Sequence, residues 1–261
     1  MERVSAIPRV APGVLFPTLF VLLVAAVLLG VGVGAVGIAP WQTAAIVADH
    51  LGADLDIAYS RQQDAIVWAI RLPRVLLGMA VGSALAVAGA ALQGMFRNPL
   101  ADPGLIGVSS GASLGAVTAV LVGASTLGVA ALPIAAFVGA MAAALAVYLL
   151  SRHDGRTEVV TLVLVGIALN AIASAGTGLL TYAGSDDELR EVVFWSLGSL
   201  GSATWRNVGA TLPFVALGLA FIPRRGRELN LLVLGEREAR HLGVDSERVR
   251  LELIALTAVL T

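Results

Sequence analysis

The sequence predicts an all-α fold, a polytopic membrane helix bundle with about six complete transmembrane helices and the start of a seventh. Three observations predict it. Of the 261 residues, 57% are hydrophobic. Only 13% are charged, against about 25% in soluble domains. The uncharged runs between those charges recur at lengths of ~20 residues or more, which is what a helix needs to cross a bilayer.

The charges serve as a ruler for each span. No charge falls between Arg9 and Asp49, which places the first helix near 14–37. Between Arg74 and Arg97 lie 22 uncharged residues, the second helix. Residues 103–151 hold 49 without a charge, enough for two helices with a turn within 123–133. A fifth span covers 159–185 and a sixth 207–223, and a last apolar run goes from Leu251 to Thr261. The first run is too long for a signal-peptide core and no small-residue cleavage site follows it, so it is expected to stay as a span. Residues 188–200 are too short to span and predict a short interfacial helix carrying Phe194 and Trp195.

Orientation follows from arginine. With the N-terminus inside, twelve arginines (Arg3, Arg9, Arg97, Arg152, Arg156, Arg224, Arg225, Arg227, Arg237, Arg240, Arg248, Arg250) are cytoplasmic. Five (Arg61, Arg71, Arg74, Arg190, Arg206) are external. The outer loops carry the acids instead, among them Asp49, Asp54, Asp56, Asp64 and Asp186.

Two absences exclude chemistries. With no cysteine there is no disulfide, thiolate site or thiol nucleophile. All 17 basic residues are arginine, so the chain cannot be a P-loop ATPase or form a lysine Schiff base. Gly107-Val108-Ser109-Ser110-Gly111 matches the G-x-S-x-G pattern, but that motif needs a strand-to-helix turn and a His–acid pair. Helix packing through Gly107, Gly111 and Gly115 is the better reading. His50, His153 and His241 read as surface loop residues without metal-ligand spacing. No carboxylate lies inside a complete span, which removes the mark of a proton-coupled transporter. Catalytic, metal and cofactor assignments are therefore none.

Small residues recur every fourth position in the second helix (Gly78, Gly82, Ala86, Ala90, Gly94), the pattern of a helix enclosed by other helices. The fifth carries Gly166, Asn170, Ser174 and Gly178 on one line. Asn170, with Ser174 one turn on, either bonds a neighbouring helix or lines a pathway, because an unsatisfied amide at membrane depth costs several kcal/mol. Arg71-Leu72-Pro73-Arg74 puts two arginines on one helical face at the outer mouth of the second helix. They either anchor to lipid headgroups or receive carboxylates of an external partner. Proline there fits a first helical turn. Residues 229–250 read as one amphipathic cytoplasmic helix stopping at Gly243, with a Glu236–Arg240 pair and Leu232, Ala239 and Leu242 on an apolar face.

RLPRVLLGMAVGSALAVAGAALQGMFRNPLADPGLIGVSSGASLGA, residues 71–116, resembles the signature of the FecCD family of ABC importer permeases. LNLLVLGEREARHLGV at 229–244 and VFWSLGSLGSATW at 193–205 resemble two further segments of that family. The resemblance implies a permease for iron–siderophore, haem or vitamin B12 complexes, with iron–siderophore the commonest use. It implies that Arg71 and Arg74 dock an extracytoplasmic substrate-binding protein. It implies that Asn98, Pro99 and Leu100 lie near the cytoplasmic gate. Across the gate stands the turn entering the fifth helix, where Glu158, Val159 and Val160 replace the small hydroxyl residues often found. Leu234, Gly235, Glu236, Ala239, Leu242 and Gly243 would seat against a separate ABC ATPase subunit. A second permease copy and membrane lipid complete the implied partners; nucleic acid is not among them. The implied protein is no enzyme itself and sits multi-pass in the bacterial inner membrane. Family permeases have ten helices, so residues 1–261 are expected to form one permease domain, incomplete at the C-terminus and poor at transport alone, with 229–250 as its coupling segment.

Overall fold

In the computed structural model, residues 11–124, 128, 130–153 and 156–261 are described, with the backbone alone at His153 and Arg156. Arg3, Arg9 and part of the turn expected within 123–133 lie outside the described residues. The chain divides into two compact units: residues up to Gly78 together with Gly201–Val208, and Met79–Leu200 together with Gly209–Thr261.

The first unit holds α1 (Pro12–Gly32), α2 (Pro40–His50), α3 (Arg61–Ala65), a π-helical turn at Ile66–Arg71 and the first residues of α4 (Leu72–Phe96). α3 opens on a capping box: the Ser60 hydroxyl accepts from the Gln63 N–H, and the Gln63 side chain accepts from the Ser60 N–H. Val31, Ile38, Ile46 and Val67 form its buried core. α3, the π turn and α4 run on as one helical stretch, Arg61–Phe96. The second helix therefore starts well before Arg74, and Pro73 sits in its interior rather than its first turn. The π turn explains how: Leu72 N–H bonds Val67 O, five residues back. In that register Pro73, which has no N–H, leaves the Trp68 carbonyl without a helical donor.

The second unit is a helical core. α5 (Val108–Leu121) and α6 (Ala131–Leu150) pack backbone to backbone. A methyl at Gly111 would overlap Gly139 O and Ala143 Cβ, and one at Gly115 would overlap Ala135 O. This is the close approach that small residues permit. α7 (Val159–Ala183) presses Gly166 against the Leu105 carbonyl of a 3₁₀ turn, Pro103–Ile106. A two-residue hairpin, β1 (Arg152–His153) with β2 (Arg156–Thr157), joins α6 to α7. α8 (Asp186–Leu197) is capped by Ser185, and its Val192 packs on Val117 and Val120 while Phe194 stays exposed. α9 (Trp205–Phe221) leads through a 3₁₀ turn to α10 (Gly226–Val233), then α11 (Glu236–His241) and α12 (Ser246–Leu260). Leu92, Ile106, Val147, Leu162, Leu232, Leu253 and Ile254 are the centre of this core.

Among the described residues, five helical stretches are long and apolar enough to cross a membrane: Pro12–Gly32, Arg61–Phe96, Ala131–Leu150, Val159–Ala183 and Trp205–Val233. The expected third span is the shorter apolar helix Val108–Leu121, because Gly107, at φ 77°, breaks the helix before it. The small-residue stripe of α4 does not behave as expected. Its buried face is Ala80, Ala84, Ala88 and Ala91, while Gly82, Ala86 and Ala90 are exposed; Gly94 is packed closely, against Leu229. Residues 229–250 also differ from one helix. Gly235, at φ 129°, splits α10 from α11, and Gly243, at φ 85°, ends α11 as expected.

Gly115→Leu is expected to cost about 1–3 kcal/mol through overpacking. Gly82→Ala, whose new methyl meets nothing within 4 Å, is expected to be neutral or to stabilise by up to about 1 kcal/mol from helix propensity. Thermal unfolding of the two variants in detergent, followed by circular dichroism, separates them.

Candidate functional site

In the first unit, Arg71 is only 6% exposed. Its Nη1 donates to Val31 O and Gly32 O, both at 2.9 Å, and its Nη2 donates to Val36 O. The last carbonyls of a helix have no intrahelical partner and carry the negative end of its dipole. Arg71 supplies donor and charge together at the end of α1. Gly34 is part of the arrangement, since a Cβ there would lie 2.5 Å from Arg71 Nη2. Arg74, three residues on, is exposed and donates to Gly201 O at 3.1 Å. The two arginines share a helical region but present different chemistry. A carboxylate of another molecule can reach the exposed Arg74, whereas at Arg71 it would displace three carbonyls.

The Trp68 carbonyl left over by Pro73 is taken by Trp205 Nε1 at 2.9 Å. Trp205 also packs on the Trp68 ring, with centroids 4.9 Å apart, and His50 stacks on the Trp68 ring at 3.9 Å. His50 is thus the last residue of α2, not a loop residue. Tyr59 donates to Asp49 Oδ2 at 2.7 Å. That bond and the neighbouring carboxylates push its phenol up to about 12.

In the second unit, α4 ends on a Schellman-type turn: Arg97 is left-handed, at φ 53°, and Asn98 N–H reaches back to Gln93 O. The Asn98 side chain accepts from Leu100 N at 2.9 Å, which fixes the Asn98-Pro99-Leu100 turn and leaves Leu100 83% exposed. Met95, Phe96, Arg97, Val159 and Glu236 line one open cleft of about 350 Å³. The structure therefore brings the turn after α4, the start of α7 and the first residue of α11 together. Val160, next to Val159, is 71% exposed.

Asn170 donates to Gly104 O at 2.8 Å, tying α7 to the 3₁₀ turn. Its Oδ1 is buried without a hydrogen-bond partner, and Ser174 one turn on is exposed. Along 234–243 the residues separate by exposure. Ala239 is fully buried, while Leu234 and Leu242 stand out at 64% and 59% beside Arg237 and Arg240. Leu242 thus leaves the apolar face expected of it. Glu236 bonds Arg250 rather than Arg240. Arg250, counted among the cytoplasmic arginines by charge alone, is 2% exposed. Its position gave a signal: Leu253, Ile254 and Thr257 lie at i+3, i+4 and i+7 on the same helix face.

The FecCD transport family model matches residues 22–261. The chain belongs to the FecCD transport family. Among curated FecCD-type relatives, the cobalamin import system permease BtuC of Halobacterium salinarum is 41% identical over 222 residues, covering 85% of this chain and 58% of the relative. The hemin transport system permease HmuU of Yersinia pestis is 45% identical over 202 residues, covering 74% and 59%. The vitamin B12 permease BtuC of Escherichia coli O157:H7 is 39% identical over 199 residues, covering 76% and 60%. The chain thus spans under two thirds of these relatives' length. A solved metal-chelate type ABC transporter in an inward-facing conformation superposes with a TM-score of 0.80 at 29% identity, covering 96% of this chain and 74% of that one. Family membership and the five apolar stretches make the chain part of a multi-pass membrane protein.

Arg71→Met is expected to destabilise by at least about 1–3 kcal/mol, the cost of leaving a buried carbonyl unpaired. A lowered unfolding midpoint in detergent checks it, together with faster amide exchange at the end of α1 than in Arg74→Met.

Proposed function

We propose that this chain forms the translocation pathway of a binding-protein-dependent ABC importer for a metal chelate. The family match over 22–261 carries the proposal. The cleft joining the α4 turn, the α7 entry and α11 supports it, because a gate driven from the cytoplasm needs its moving parts in contact with the segment that is pushed.

In this reading the N-terminus is cytoplasmic, in the bacterial inner membrane. A loaded binding protein docks outside on Arg74, while Arg71 holds the α1 end that positions the docking face. Asn98, Pro99, Leu100, Val159 and Val160 form the inner gate. Asn170 and Ser174 border the pathway. Leu234, Gly235, Glu236, Ala239, Leu242 and Gly243 form the segment that meets a separate ATPase, with Leu234, Leu242 and the flanking arginines making the contact. A second permease copy completes the pathway. The chain does no chemistry on its ligand; ATP is hydrolysed on the partner. Relatives named for cobalamin and hemin favour those ligands, and an iron–siderophore complex belongs to the same chelate class.

Arg74→Glu should weaken binding-protein affinity by about tenfold or more, which is 1.4 kcal/mol. Leu234→Glu with Arg240→Glu should abolish co-purification of the ATPase. Titration of the assembled importer by surface plasmon resonance, with vesicle uptake of cyanocobalamin, hemin and a ferric siderophore, tests both. Unchanged docking and unchanged ATPase capture would overturn the assignment of these surfaces, and uptake of none of the three would overturn the ligand class.

A further inference from the structure

Among the described residues, the most deeply buried charge in the second unit is one that no transport role above uses. Arg250 lies in the first turns of α12 with its side chain 2% exposed. Its guanidinium reaches two segments that are separate from α12 in sequence, and one carboxylate on α12 itself. Nη2 bonds Glu236 Oε1, on the first residue of α11. Nη1 bonds the Thr157 carbonyl, two residues before α7 begins. Nη1 also lies 3.4 Å from Glu247 Oε1. Glu247 in turn holds Thr157 from the other side: Oε1 accepts the Thr157 N–H at 2.8 Å and Oε2 accepts its hydroxyl at 2.7 Å. Thr157 is itself 1% exposed.

Thr157 is thus fixed at its N–H, hydroxyl and carbonyl, and all three bonds lead to α12. The same arginine fixes the start of α11. A planar guanidinium makes such bonds in a set geometry, unlike the rotating ammonium of lysine. A buried, charge-assisted network keeps its partners only in a narrow range of arrangements, so displacement of one member must move the others or break the network. Glycines bracket α11 at Gly235 and Gly243, both at positive φ, which sets that short helix off from α10 and α12. Its one charged tie to the rest of the unit, among the hydrogen bonds and ion pairs of the described residues, is Glu236–Arg250.

We infer that Arg250, with Glu247, is the positioning element that transmits displacement of α11 to the entry of α7, through Thr157. It acts on Val159 and Val160 from two residues away and touches no ligand. This rests on the reading of 229–250 as the ATPase-facing segment.

The test is hydrogen–deuterium exchange on the assembled importer with and without ATP and vanadate. Two mild variants are used. Arg250→Lys keeps charge and stem but cannot span Thr157 O and Glu236 as a fork. Thr157→Val keeps the backbone and volume and removes the hydroxyl bond to Glu247. In wild type, exchange at 236–241 and at 157–162 should change together on ATP binding. In both variants the response at 236–241 should remain while that at 157–162 falls about 5-fold or more, the lower end of coupling between linked sites. Equal responses at 157–162 in wild type and both variants overturn the relay while leaving the function standing. No ATP response at 236–241 in wild type overturns the function reading itself. Parallel loss of response in both segments in the variants makes the network a fold stabiliser and also overturns the relay.

Discussion

Backbone satisfaction in an apolar layer is the constraint on which the rest of this structure depends. Each place where a helix ends, kinks or tightens frees a carbonyl, and hydrocarbon offers it no donor. Three such places here are closed by side chains from elsewhere in the sequence. Arg71 closes the end of α1, Trp205 closes the carbonyl freed at Pro73, and Asn170 closes Gly104 in the 3₁₀ turn. Each closure is also a tertiary tie. Arg71 lies 40 residues from Val31 in sequence, and Trp205 lies 137 from Trp68. The irregular backbone and the long-range contacts are therefore the same feature seen twice.

The remaining stabilisation is dispersion at close range, not expulsion of water, because lipid is as apolar as the side chains it would replace. That is why α5 and α6 meet through Gly111, Gly115 and Gly139 rather than through large residues. It also explains the outward face. Leu28, Leu179 and Tyr182 are exposed at 67%, 72% and 92%, which a chain bathed in lipid or covered by further protein accommodates and a water-solvated one does not.

Most span positions were legible in the sequence because charges cannot sit at membrane depth, so the runs between them read as helices; the exceptions are the second stretch, which begins back at Arg61, and the last, which runs on to Val233. The stop at Gly243 was legible for a different reason: glycine tolerates the left-handed cap. What was not legible lies where one residue type serves two physical ends. A small-residue stripe marks close packing in α5 but faces outward at Gly82, Ala86 and Ala90 in α4, since spacing fixes a face without saying what covers it. Pro73 reads as a first turn unless the π register is known. Arginines count equally toward orientation whether solvated or buried, so the burial of Arg71 and Arg250 does not show in the count. Of the candidate gate, the sequence placed each turn, but the meeting of Arg97, Val159 and Glu236 in one cleft is a product of tertiary contact alone.

Arg71 and Arg250 show how differently a chain can bury a cation. Arg71 is held by neutral carbonyls at a helix C-terminus, where partial negative charge is spread over several groups. Such a site constrains position, yet it offers no counter-ion whose loss or gain could alter it. Arg250 faces two full carboxylates, Glu236 and Glu247. Removing one partner from such a pair leaves a buried charge uncompensated, which costs far more than the pair contributes when intact. The first arrangement suits a fixed part and the second suits a joint whose two sides must stay together. In the first unit, Arg71 caps the end of α1 while Arg74, one turn on, stays exposed. In the second unit, α11 is bracketed by Gly235 and Gly243 and joined through Glu236 to the buried Arg250.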